Sequence, residues 1–182
     1  GTKEGMTEAA EGSIQKALAR GCRFGFVAGG YDDRGAYANL FEANQTQYSP
    51  GLTAILSKEH NRNSLFEALQ ARSCYATTGE KIILGLHIAN FGIGSEIDTK
   101  TRPGLEFNRH IIGYAIGTAP LVEACLIRNG KIYRSFEVKE EKLEFTLDDT
   151  DLLGSIALEP NPEKPPFVYY YLRIRQQDGH IA

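Results

Sequence analysis

The apolar positions of the chain change their period part-way along it. In residues 7–20, Ala10, Ile14, Ala17 and Leu18 recur at helical spacing, which predicts a helix that Gly21 is suited to stop. The run RFGFVAG (23–29) follows as a short buried strand. A helix running straight into an apolar strand is an αβ unit of the kind found in parallel barrels and sheets. Residues 29–50 have no apolar period and are rich in Gly, Asp, Asn and Gln, as a long loop would be. Its aromatics Tyr31, Tyr37, Phe41 and Tyr48 are suited either to pin the loop to the body or to face a ligand. A second short strand is expected at 51–56. A helix then starts around Asn63, with Ser64 and Glu67 spaced as a capping box, and residues 76–79 close it.

After Glu80 the pattern turns to strands. KIILGLHIA (81–89) and RHIIGYAIG (109–117) are Ile-rich and partly alternating. Residues 123–128 and 131–138 flank Asn129-Gly130, the favoured pair for a two-residue type I′ hairpin. Residues 143–147 and 167–176 supply two more strands, and no helical pattern intervenes. This many short strands predicts an antiparallel β-sandwich. The expected fold class is therefore α+β: a partial α/β segment over 1–79, followed by a β-sandwich over 80–182. One or two αβ units cannot close a barrel. The first segment must bury its apolar residues against the sandwich or another copy of the chain.

Composition narrows the function classes. At 42% hydrophobic residues the chain can build a packed core, and a net charge of −3 provides no basic field for nucleic acid. No apolar run approaches the roughly 20 residues of a membrane helix. Cys22, Cys74 and Cys125 are far apart, odd in number and without a C-x-x-C pair, which suits buried reduced thiols better than a zinc site. His60, His87, His110 and His180 are scattered and show no H-x-H spacing. Lys139-Glu140-Glu141-Lys142 suits a solvated turn, and the Pro-rich stretch 160–166 an exposed stiff loop.

Three segments carry a family resemblance: LQARSCYATTG (69–79), the hairpin VEACLIRNGKI (122–132) and the ending YYYLRIRQQDGHIA (169–182). Together they resemble the C-terminal part of metal-dependent phosphoesterases of the PHP (polymerase and histidinol phosphatase) type. In that family a distorted (β/α)7 barrel holds metal ions with His, Asp and Glu, and the resemblance implies phosphate-ester hydrolysis by the whole protein. It also implies that a helix hands the chain to an Ig-like accessory β domain at 69–79. A barrel strand of the family ends in a loop of the type S-G-D-x-H-x-G. Gly29-Gly30-Tyr31-Asp32-Asp33-Arg34-Gly35 stands in its place, with Tyr31 where the family has Asp and Asp33 where it has His.

Asp32 and Asp33 are thus the candidate metal ligands, and their oxygens suit a hard cation. The same residues also suit a turn, since Asp bonds readily to its local backbone. No catalytic residue and no cofactor is assigned to this segment. A divalent zinc, manganese or iron ion belongs, on this reading, to the parent protein. The expected partner is the N-terminal barrel of that parent, or a second copy; neither nucleic acid nor membrane is expected. The alternative is a non-catalytic relative whose sandwich serves as a binding module.

Overall fold

The computed structural model describes residues 13–29, 51–160, 162–163 and 165–182. Within these the chain is an α+β protein whose larger part is an antiparallel β-sandwich. Helix α1 spans Ile14–Ala19; the Ser13 hydroxyl accepts the Lys16 N–H at its start, and Gly21 (φ 75°) ends it. Strand β1 (Leu52–Ile55) pairs antiparallel with β2 (Cys74–Thr77), and α2 (Arg62–Gln70) joins them.

Three sequence expectations are corrected here. Residues 76–79 do not close a helix. Helix α2 stops at Gln70, Arg72 turns the chain at φ 58°, and Cys74–Thr77 then runs as a strand beside β1. Residues 23–29 form no strand ladder among the described residues. The Thr53 hydroxyl takes that role, accepting the Ala28 N–H at 2.9 Å and donating to the Ala28 carbonyl at 2.7 Å. The capping box is also displaced. Asn61 caps α2 by accepting the Ser64 N–H at 2.9 Å, so the helix begins one residue on, at Arg62.

The sandwich consists of two three-stranded sheets. One has the order β3 (Ile83–Ile88), β4 (Arg109–Ile116), β7 (Lys142–Asp149). The other has the order β6 (Lys131–Phe136), β5 (Leu121–Arg128), β8 (Tyr170–Gln176). All the pairings are antiparallel. Asn129 and Gly130 sit at φ 52° and 76°, the two positive values a type I′ turn requires. Two short helical pieces interrupt the strands where none was expected: a 3-10 turn at Pro103–Glu106 and α3 at Leu153–Ile156.

Alternation in β3 and β4 turns Leu84, Leu86, Ile111 and Ala115 inward, against Leu126, Leu172 and Ile174 of the facing sheet. Two aromatic rings cover cross-strand glycines: Tyr114 lies over Gly85 and Phe145 over Gly113. Phe145 also stacks on Phe136 of the opposite sheet, with centroids 4.1 Å apart.

The N-terminal unit is bonded into this core. Tyr75 of β2 is buried among the sandwich residues, donates to the Ile82 carbonyl at 3.0 Å and accepts the Leu84 N–H at 3.2 Å. The chain end lies beside it. Ile174 and Ala182 exchange backbone hydrogen bonds, and the Thr78 N–H donates to the Ile181 carbonyl at 2.9 Å. Residues 180–182 are thereby wedged between β8 and the tail of β2.

Candidate functional site

The densest polar constellation lies between the two sheets at the ends of four strands. Asp149 closes β7 and is fully buried; Arg109 opens β4 directly across from it. Arg128 ends β5 and Tyr170 begins β8, and they are register partners in the other sheet. Antiparallel pairing in both sheets therefore brings Arg109, Arg128 and Tyr170, 21 to 40 positions away in sequence, onto one carboxylate. Asp149 Oδ1 accepts from Arg109 Nη2 at 2.9 Å and from the Asp151 N–H at 3.1 Å. Its Oδ2 accepts from Arg128 Nη1 at 2.8 Å and from the Tyr170 hydroxyl at 2.6 Å.

Four donors fill the roughly four lone-pair positions of a carboxylate. Burial works to raise the pKa of Asp149, but these hydrogen bonds outweigh it and hold the group at about 2. Burial and the bond to Asp149 push the Tyr170 phenol upward. Arg109 is equally occupied: Nε donates to Tyr170 at 3.0 Å, Nη1 to the Leu105 carbonyl at 2.8 Å, and Nη2 also to the Asp151 carbonyl. A carboxylate whose pKa is held at about 2 with its lone pairs occupied is a weak base, and a phenol pushed upward is a weak acid. The constellation joins the sheets, with Arg128 also lying over the Tyr133 ring at 4.1 Å.

A second cluster lies on β5 and β8. Glu123 accepts from Arg173 at 2.5 Å and from Arg175 at 3.1 Å, and Cys125 lies 3.7 Å from its Oε1. Hydrogen bonds from Arg173 lower the Glu123 pKa against the effect of burial. An aromatic row runs along β8 and the strand entry, Phe167–Tyr169–Tyr171, with successive centroids 6.2 and 6.4 Å apart; Phe26 meets Tyr171 at 5.9 Å.

The residues singled out by sequence fall as follows. Tyr31, Asp32, Asp33, Tyr37, Phe41 and Tyr48 lie outside the described residues. Cys74 and Cys125 are buried, and burial raises the Cys74 thiol, which removes it as a nucleophile. Cys22 departs from the expectation of burial and is exposed. The histidines do not converge: His110 pairs with Asp148 at 2.9 Å, while His180 meets the Thr78 hydroxyl at 3.1 Å. Among the described residues, no group of three or more His, Cys, Asp and Glu is placed to hold a metal ion. No helix among them is long and apolar enough to cross a membrane. Lys142 and its neighbours Glu140 and Glu141 border a shallow, open hollow, as a solvated turn would. The Asp149 constellation gave no sequence signal, because its members are spread over four strands.

Residues 16–101, from α1 through β3 and into the following loop, match the model of a family described as a protein of unknown function, DUF3604. An uncharacterised protein of Chlamydia pneumoniae is 47% identical over 176 residues, which is 97% of this chain and 28% of the relative. Uncharacterised proteins of Chlamydia trachomatis and Chlamydia muridarum are 44% and 46% identical over the same share of each chain. The chain thus spans less than a third of the length of these relatives. No solved structure matches it.

Proposed function

We propose that the chain is the C-terminal part of a PHP-like metal-dependent phosphoesterase, with the catalytic machinery in the remainder of the parent protein. The observation that carries this reading is the junction at 69–79. There LQARSCYATTG forms the end of α2, a turn and β2, and Tyr75 within it is sealed into the sandwich core. An accessory domain held rigidly on the last unit of a barrel requires such a joint. The relatives, more than three times as long as this chain, leave ample length for the rest of a barrel.

A divalent metal in such a parent would supply Lewis acidity and a water acidic enough to attack phosphorus at neutral pH. Asp32 and Asp33 supply oxygen donors alone. The two carboxylates do not make a metal site by themselves, and no step is assigned to them. The part left to this chain is structural: it fixes the final unit of the barrel and closes it against the sandwich. One observation favours a second reading, a non-catalytic relative whose sandwich serves binding. Tyr31 and Asp33 stand where the family places Asp and His.

Metal analysis of the full-length parent, with hydrolysis of p-nitrophenyl phosphate, separates the two. Two or more bound transition metals with metal-dependent turnover support the phosphoesterase. A folded parent with neither supports the binding module.

A further inference from the structure

The large apolar side chains left exposed are unevenly placed. Of the fourteen among the described residues, six (Ile14, Val27, Leu52, Leu56, Phe66 and Leu69) precede residue 70, where only 36 residues are described. All six belong to the unit of α1, segment 22–29, β1 and α2. Both of its helices are poorly buried: α1 buries no residue and α2 buries only Ala68. Phe66 and Leu69, three apart on one side of α2, point away from the body at 60% and 41% exposure.

Helices of six and nine residues are not stable in water by propensity and need an apolar face packed against something. The sandwich core takes up Tyr75 and Ala54 of this unit, while the two helices fully bury only Ala68. A large occupant in the same polypeptide is indicated by relatives of which this chain is 28%. A tethered partner is present at far higher effective concentration than a free copy.

We propose that α1, α2 and the β1 side of this unit form an intramolecular interface, and that the remaining part of the longer chain covers it. The proposal rests on the reading of the chain as part of a larger protein. It does not depend on what that protein catalyses.

Thiol labelling of the full-length protein tests it. On a Cys22→Ser background, Phe66→Cys is compared with Ile132→Cys, because Phe66 (60%) and Ile132 (57%) are equally exposed in this chain. A thiol-reactive maleimide is expected to label position 66 at least about tenfold more slowly than position 132, at any protein concentration, with equal rates in denaturant. Leu69→Cys serves as a second variant should Phe66→Cys fail to fold, and is expected to be slow too. Equal native rates at 66 and 132 overturn the proposal. Slow labelling that is relieved by dilution also overturns it and assigns the face to a second copy. Neither outcome depends on metal content or phosphatase activity, so a failure here is distinct from a failure of the phosphoesterase reading.

Discussion

At the scale of single residues, Asp149 is the side chain on which the two sheets depend most. It is buried without exposure, and its four donors come from β4, β5, β8 and the turn that follows its own strand. Asp149→Asn keeps the shape but leaves the buried Arg109 guanidinium without its counter-charge, and leaves Arg128 only its pair with Asp151 at 2.7 Å. Breaking a buried pair in this way costs about 3–5 kcal/mol, and urea unfolding of the variant is expected to show it. The pH dependence has a definite sign. Asp149 has a folded pKa of about 2, below the roughly 4 of an unfolded Asp. Its stabilising effect is therefore complete above about pH 5 and is lost as the pH falls through 4 toward 2. Part of the acid slope of the wild-type protein should be missing in Asp149→Asn. An identical slope in the two proteins would show that other carboxylates govern acid unfolding.

At the scale of elements, what was legible in the sequence was what local chemistry dictates. Asn129-Gly130 specified its hairpin because few residue pairs accept two positive φ values in succession. The alternation of β4 and β7 was readable because each strand has one face in the core. The end of α2 was not readable. Its reversing residue is Arg72 at φ 58°, where Gly or Asn is the usual mark. Four-residue strands such as β2 lack the length to display a period, so residues 76–79 read as the close of a helix. The Asp149 constellation was invisible for another reason: register, not spacing, assembles it. Register also accounts for the glycines of the sandwich. Gly113 is bare so that Phe145 can lie over it and reach Phe136. Gly113→Ala would drive that ring off its place, an overpacking change worth about 1–3 kcal/mol. The expected readout is a lower urea midpoint with an unchanged slope. A neutral result would mean that the ring moves freely and does not hold the sheets together.

At the scale of the whole molecule, the change of apolar period along the chain implied helices and strands in one α+β fold, and that class is present. The degree to which the first unit and the sandwich are fused was not announced. Tyr75 fills part of the sandwich core, and Thr78 bonds to both His180 and Ile181. A chain cut to residues 80–182 would keep every sandwich strand and lose these contacts. Burying a side chain of this size contributes about 1.5–3 kcal/mol, and each kcal/mol moves the midpoint of a domain this size by about 4–8 °C. The shortened chain is expected to melt more than roughly 10 °C below the complete one in a thermal scan. Equal midpoints would mean that the sandwich is self-sufficient and the joint ornamental.

The contact between Thr78 and the residues 102 and 103 positions further on has a consequence for the order in which the molecule assembles. Bringing such distant points together is entropically costly until the chain between them is already compact. The hairpin at Asn129-Gly130 can close in microseconds, whereas the β2 tail can find residues 180–182 only once β8 has docked. The contact that fastens the two units is therefore expected to form after the hairpin, and a growing polypeptide must hold its earlier helices unfastened until residues 180–182 have emerged.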